Sequence, residues 1–423
     1  MKCITRVLCV VHSLVLSLAC FATDSEEVLT SIESRAQQLT DLSDHIWDLA
    51  EVGYQETLSS NALKNALLAE GFSIESGVAS IPTAFVASYG SGQPVIAIMG
   101  EFDALPGISQ AAVPVVQKID GKKAAHACGH HLFGAGSVGA AIAVKEWLDR
   151  TETSGTVQFF GTPAEEGGSG KVYMVRAGLF DDVDTVIHWH PASVNSADSA
   201  STLANRSAKF TFTGVSSHAA SAPERGRSAL DAVESMNFMV NLLREHVPSS
   251  TRLHYVITNG GATPNVVPNT AESFYYVRHP NENALREIWD RVVATANAAA
   301  MGTGTTMDYE VIHGNYSVLP NDPLARVMHD NLSRVGGFAY SDVDKIFANE
   351  IAKTLPKRAC IDRRPVGGKP FEAGHRSDGS PVVGDVSWII PTVGMSAATW
   401  VPGTGGQTGQ PVAAEGYWSQ RHI

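Results

Sequence analysis

Val95-Ile-Ala-Ile-Met-Gly100 is a continuous apolar run that stops abruptly at Glu101-Phe102-Asp103. A run so short and so uniformly apolar reads as a strand buried on both faces, the kind a parallel sheet requires. Thr83 to Tyr89, Val157 to Gly161 and Thr185 to Trp189 share that texture. Helical segments alternate with them, among them one from about Ser59 to Gly71 and one from Leu132 to Leu148. Strand and helix in alternation predict an α/β/α sandwich around a mainly parallel sheet. Ahead of it, Ser25 is placed to cap a helix with apolar positions at Val28, Leu29, Ile32, Ala36, Leu39 and Leu42. Glu101-Phe102-Asp103, Glu165-Glu166 and His190 each follow an apolar strand. In open α/β sheets ligands collect at the carboxyl ends of strands, so three separate segments are expected to meet at one edge.

From Ala204 the texture changes. Ala208 to Thr213 alternates, Ser228 to Glu245 is helical, and Arg252 to Thr258 and Glu272 to Arg278 alternate again; a helix over Glu282 to Ala300 and a strand over Thr305 to Ile312 follow. The order β-α-β-β-α-β is the ferredoxin-like pattern. The expected organisation is therefore a leader over 1–22, a catalytic domain over 23–203, an inserted α+β domain over 204–317, and the remainder of the catalytic domain over 318–423. Arg363 to Pro381, rich in Gly, Pro and charge, reads as an irregular loop.

The chain has 423 residues, 44% hydrophobic and 17% charged, with a formal charge of -12. That composition excludes fibrous and disordered classes, and the acidic balance argues against nucleic-acid partners. Met1 to Ala22 carries Lys2 and Arg6, an apolar run from Val7 to Phe21, and then the acidic Asp24, Glu26 and Glu27. This is the pattern of a secretory signal peptide cleaved near Thr23, giving an exported, periplasmic or secreted protein with no membrane span after cleavage. A lipoprotein site at Cys20 is disfavoured by Ser17, and an uncleaved anchor by the shortness of the run. Only Cys128 and Cys360 would remain, which excludes a disulfide framework but leaves one bridge open.

His126-Ala-Cys128-Gly-His130-His131 packs four potential metal ligands just before a helix. A thiolate there is favoured by a metal and by the helix N-terminus. Pro163-Ala-Glu165-Glu166-Gly167-Gly168 follows a strand, so one carboxylate can bind metal while the other carries a proton. In His188-Trp-His190-Pro191 the histidine nearer the strand end, His190, is the expected ligand, with His188 buried or hydrogen-bonded within the sheet. Gly170-Lys171 does not complete a phosphate loop, and Ala135-Gly-Ser137-Val-Gly139 resembles a nucleophile elbow but falls inside a predicted helix. Arg225, Arg227 and Arg278 are candidates for a substrate carboxylate as much as for solvent or ion pairs.

Gly100-Glu-Phe-Asp-Ala-Leu-Pro-Gly107, His126-Ala-Cys-Gly-His130, Pro163-Ala-Glu-Glu-Gly-Gly168, His190-Pro191, Ser217-His-Ala-Ala220 and Asn265-Val-Val-Pro268 together resemble the aminoacylase/carboxypeptidase family of metal-dependent amidohydrolases. Ile81-Pro-Thr-Ala-Phe85, Gly167-Gly-Ser-Gly-Lys171, Gly226-Arg-Ser-Ala-Leu-Asp-Ala232 and Gly384-Asp-Val-Ser-Trp388 narrow the resemblance to hydrolases of aminobenzoyl-amino acid conjugates. The resemblance implies one or two divalent ions, Mn or Zn, and a lid domain that also forms a homodimer, with a related second subunit as a further partner. It implies Cys128, His130, Glu166 and His190 as metal ligands and Glu165 as general base. It implies His218 as an oxyanion-stabilising lid residue acting in the partner's site, and Asn265 near the substrate; of the three arginines, Arg278 is taken with Asn265 as substrate-binding. A bound metal makes hydroxide available near neutral pH, and a Glu can move its proton to the leaving nitrogen.

The chain departs from the family at His131, where relatives carry Asp or Asn, and at Gln407, where Gly403-Thr-Gly-Gly-Gln407-Thr-Gly-Gln410 has an amide in place of a ligand histidine. An amide is a poor replacement for imidazole. The end, Tyr417-Trp-Ser-Gln-Arg-His-Ile423, departs from the family's Ile-Gly-x-Lys-Gly continuation and is expected to reflect a truncation or frameshift near Gly416. The expected function is an amidase releasing an amino acid, such as glutamate, from an N-acyl or aminobenzoyl conjugate. A ligand-binding relative without turnover and a serine hydrolase using Ser137 are the alternatives.

Overall fold

The structure is a computed structural model that describes residues 26–197, 199–337, 340–355, 371, 373–376, 379, 381–401, 403–404 and 406–419. The leader, Ser25, Cys360, most of the 363–381 segment and the last four residues lie outside the described residues. Helical residues 26–34 and α1 (Ala36–Leu49) are separated at Arg35, whose φ of -104° and ψ of 2° interrupt the single helix that the apolar spacing suggested. α2 (Thr57–Ala69) and the strands β1 (Ser73–Ser76), β2 (Phe85–Ser91) and β3 (Val95–Gly100) follow, then α3 (His130–Thr151), β4 (Gly155–Gly161), α4 (Gly170–Arg176) and β5 (Thr185–Ala192).

The next elements are β6 (Ala204–Thr213), α5 (Ala229–Leu243), β7 (Arg252–Asn259), β8 (Thr270–His279), α6 (Glu282–Thr303) and β9 (Thr306–Asn315). They are followed by α7 (Asp322–Val335), α8 (Asp342–Ala352), α9 (Val383–Ser387), β10 (Thr392–Ala398) and α10 (Gly409–Ser419). Within the segment expected to be irregular, Ala373–Arg376 instead pairs in parallel with Ser199–Ser201. Backbone pairing with a neighbouring strand overrides its turn-rich composition.

The large sheet runs β1-β2-β4-β3-β5-β10 and is parallel from β4 to β10. β3, in its middle, is buried on both faces, which is why Val95–Gly100 is continuously apolar, whereas the edge strand β1 is mostly exposed. Phe85, Ala87, Ile98, Val157 and Phe159 face α1, α2 and α3 through Ile46, Leu63, Leu67, Val138 and Ile142. The opposite face carries Val86, Ala97, Met99, Phe160 and Val186 against Met174 of α4 and Val383 and Val386 of α9. The result is the α/β/α sandwich with a mainly parallel sheet. Ser137 is buried in α3 with its hydroxyl donating to the Met99 carbonyl at 2.7 Å, which removes it from any nucleophile elbow.

The inserted segment forms its own antiparallel sheet, β7-β8-β6-β9, with α5 and α6 packed on it through Phe210, Met236, Tyr275, Trp289 and Val292. β6 and β9, the first and last strands of this unit, are neighbours, and Asn205 pairs with Asn315 at their base. Among the described residues no helix is long and apolar enough to cross a membrane.

Candidate metal centre

Gly129 caps α3 in the left-handed region, with φ 78°. A Cβ there would come within 2.6 Å of Pro191 and also strike Glu415, so only glycine lets the chain turn between Cys128 and His130. The turn puts both side chains on the carboxyl edge of the sheet, where β5 delivers His190. Cys128 Sγ and His190 Nε2 are 3.4 Å apart. His190 Nδ1–H donates to the Pro191 carbonyl at 2.7 Å, which turns Nε2 toward the thiol. Cys128, His130 and His190 thus offer ligand atoms that all lie within 4.8 Å of one another.

Asp103, just past β3, organises two of the neighbours. One carboxylate oxygen holds His130 Nδ1 at 2.8 Å and the other accepts the Glu166 backbone N–H at 2.8 Å. His130 Nε2 is left facing Glu101 Oε2 at 3.0 Å, yet neither atom has a hydrogen-bond partner of acceptable geometry among the described residues. Glu101 Oε1 pairs with Lys171, and both side chains are almost wholly buried. Glu101, His130 and Glu165 make a second converging set, which shares His130 with the first.

Glu165 and Glu166 lie in a one-turn helix that Ala164 enters with φ 54°. The strained entry is held by Glu56, which accepts the Ala164 N–H at 2.8 Å and the Thr83 hydroxyl at 3.1 Å. Glu165 Oε1 accepts the Val382 N–H at 3.1 Å. Glu166 Oε2 accepts from Gln407 Nε2 at 3.2 Å, while its Oε1 is buried without a partner among the described residues. Gln407 is fixed by its own backbone N–H, which donates to the Ala127 carbonyl at 3.0 Å.

The electrostatics of the cluster favour a cation at its centre. Burial raises Glu165 to about 7, with Glu101 adding to the effect, and raises Glu166 to about 8. Burial also raises the Cys128 thiol, with Glu166 adding to it. Burial works against protonated His130, but Glu101 and Asp103 outweigh it and hold this imidazole well above its ordinary range. Each anionic ligand is penalised by desolvation that a cation among them would cancel. Tetrahedral ligands at 2.0–2.3 Å from an ion lie roughly 3.3–3.8 Å from each other, and the Cys128–His190 separation falls in that range. The orphaned His130 Nε2 and Glu166 Oε1 and the thiol–imidazole–carboxylate donor set fit a divalent ion.

A cavity of about 910 Å³ opens from this edge to the inner face of the small sheet. Arg278 lines its far wall beside Tyr276, His313 and His254. Its guanidinium lies over the Tyr276 ring, 5.2 Å from the centroid, and Nε is buried without a partner among the described residues. Burial lowers its pKa, though Tyr276 and the two glutamates act to raise it. Tyr276 is oriented by a 2.9 Å hydrogen bond with His313 Nε2.

Cys128, His130, Glu165, Glu166, His190 and Arg278 therefore gather around one cavity or its floor. His218 and Asn265 do not line it. His218 is exposed and bridges to Val266, with Nδ1 accepting the Ala220 and Ser221 N–H groups, and Asn265 Oδ1 accepts from Thr263. Arg225 and Arg227 also lie elsewhere: Arg225 is beside Glu224, and Arg227 donates to the Glu224 and Gly226 carbonyls. His188, expected to be buried or hydrogen-bonded within the sheet, is half-buried at the cavity wall. Two residues before His190 it shares that residue's face, and it lines the cavity with its ring against Gly394. Burial lowers His188 to about 4.

His126 and His131 turn away from the centre, their rings 4.9 Å apart, with His126 Nε2 on the Ile46 carbonyl at 3.1 Å. Glu101 and Asp103 were expected at this sheet edge but without a role, and Lys171 and Glu56 were not singled out as site residues. Asp103 and Glu101 had a legible signal, two carboxylates one residue apart after a strand; Lys171 and Glu56 had none.

Residues 97–361 match the model of Peptidase family M20/M25/M40. The chain is 40% identical to one of the p-aminobenzoyl-glutamate hydrolase subunits of Escherichia coli, over 90% of this chain and 85% of that one. The crystal structure of the aminobenzoyl-glutamate utilization protein from Klebsiella pneumoniae superposes with a TM-score of 0.63 at 17% identity, covering 93% of this chain and 98% of the other. That of a dinuclear metal-binding M20 peptidase from Bacillus subtilis superposes with a TM-score of 0.56 at 18% identity, covering 92% and 97%.

Proposed function

The chain belongs to peptidase family M20/M25/M40, and from that premise we propose that it is a metal-dependent amidohydrolase that cleaves p-aminobenzoyl-glutamate or a related N-acyl amino acid. The observation that carries the reading is the convergence of Cys128, His130 and His190 beside Glu165 at one end of a large cavity. Cys128, His130, Glu166 and His190 would hold the ion. When bound, a divalent ion makes water acidic enough to supply hydroxide near neutral pH and polarises the amide carbonyl.

Glu165, raised to about 7, takes a proton from the attacking water and returns it to the departing α-nitrogen of glutamate as the C–N bond breaks. Its Oε1 is held by the Val382 N–H, leaving Oε2 for the transfer. Arg278 is placed to bind the glutamate carboxylate through a charge-assisted pair. His218 and Asn265, exposed on the small domain, are proposed to act in the cavity of a second copy or a related subunit, where His218 would donate to the developing oxyanion.

The test is hydrolysis of p-aminobenzoyl-glutamate by the full chain before and after chelation and after return of Mn or Zn. Loss on chelation and recovery with the ion is expected, and chelator-resistant activity would refute the reading. Gln407 favours one second reading, a ligand-binding relative without turnover, because its amide stands against Glu166. Saturable binding of the conjugate with no product under metal loading would favour that reading.

A further inference from the structure

The nitrogen donors of the centre limit what it can hold. His130 has only Nε2 to offer, because Nδ1 is engaged by Asp103 at 2.8 Å. Yet His130 belongs to both converging sets, with Cys128 and His190 on one side and with Glu101 and Glu165 on the other. An imidazole nitrogen has one lone pair in the ring plane and serves one ion at a time. Of the two Glu101 oxygens in the second set, Oε2 faces the same His130 Nε2 that the first set uses, and the other, Oε1, carries Lys171 Nζ, whose side chain is 1% exposed. An ion arriving at that oxygen would have to displace the ammonium and leave it buried without its carboxylate, a costly arrangement. On the other flank, Gln407 Nε2 covers Glu166 Oε2 at 3.2 Å and leaves Oε1 as that residue's open oxygen.

We infer that this chain holds a single divalent ion, on Cys128 Sγ, His130 Nε2, His190 Nε2 and Glu166 Oε1, and that Lys171 supplies on Glu101 the positive charge a second ion would bring. The inference rests on the reading of this cluster as a metal centre and goes beyond it in fixing the stoichiometry and the cause. Lys171 acts as a positioning residue: it pins Glu101 through Oε1 and keeps that carboxylate outside the coordination of a second ion.

The full chain is incubated with excess Mn, desalted, and its bound metal counted by mass spectrometry, with electron paramagnetic resonance on the same sample. One ion per chain and an isolated-ion spectrum are expected. Two ions with an exchange-coupled spectrum would overturn the inference while leaving the hydrolase reading intact. No bound ion would overturn both. The paired variant Lys171→Met with Gln407→His is expected to take up a second ion, and a folded variant that still binds one would refute the role given to Lys171 and Gln407. Should the paired variant not fold, the count on the unaltered chain decides.

Discussion

Glu56 and Ala164 are joined by a 2.8 Å hydrogen bond from backbone N–H to buried carboxylate, across 108 residues of sequence. The bond fixes the left-handed residue immediately before Glu165, so a side chain outside the cavity determines where the proposed general base stands. Replacing Glu56 by Ala leaves a strained, buried N–H unsatisfied. The expected loss is about 1–3 kcal/mol of stability by thermal denaturation, with a fall in kcat larger than any change in bound metal.

The same residue predicts a pH dependence. Burial, with Asp103 nearby, raises the Glu56 carboxyl from its ordinary 4.5 to about 7. The folded chain therefore holds this proton more tightly than the unfolded chain. That contribution is complete below about pH 4.5 and is lost as pH rises through 7, on the order of 3 kcal/mol in all. Glu56→Gln keeps a neutral group of the same shape, so its melting temperature in chelator should gain on the unaltered chain between pH 5 and pH 8. Parallel curves over that range would refute the assignment.

Glu165→Gln keeps an acceptor for the Val382 N–H but cannot take a proton. Activity on p-aminobenzoyl-glutamate should fall roughly 10²–10⁴-fold, while metal per chain, measured by mass spectrometry, stays as it was. A variant that loses its metal with its activity would move Glu165 from base to ligand.

Arg278→Ala should raise KM for conjugates carrying a free carboxylate by roughly ten- to a hundredfold, the worth of one charged hydrogen-bonded contact. The corresponding carboxamide should be affected little. Equal loss on both, read from KM and kcat separately, would show that the guanidinium supports the wall and does not select substrate.

Gly129→Ala forces a Cβ against Pro191 and Glu415 at a backbone angle that disfavours side chains. Stability should drop by about 1–3 kcal/mol, and metal affinity, measured by competition with a chromogenic chelator, should drop with it. Ala at Gly107, also left-handed but with open space around it, supplies the control: strain without collision should leave the metal in place.

The strands were legible where an apolar run meets a polar boundary. Val95–Gly100 is bounded as read, because nothing beyond Gly100 continues the ladder. β5 runs on to Ala192 because Pro191 and Ala192 pair with Ala397 and Ala398, a partner no local pattern reveals. In the site, the spacing of His126-Ala-Cys128-Gly-His130-His131 marked a metal-binding stretch and the family resemblance picked out Cys128 and His130, but spacing did not show that His126 and His131 would turn into the core. The Lys171–Glu101 and Glu56–Ala164 pairs span 70 and 108 residues. Their partners are set by sheet order and helix packing, so no motif announces them.

Asn205 opposite Asn315 leaves the two ends of the inserted unit one strand spacing apart, about 5 Å. The small domain is thus a cassette: a tight hairpin could close the gap it leaves, and a different module with adjacent termini could be grafted there. Such chimeras would separate what the cavity's roof contributes to selectivity from what its floor contributes to bond cleavage.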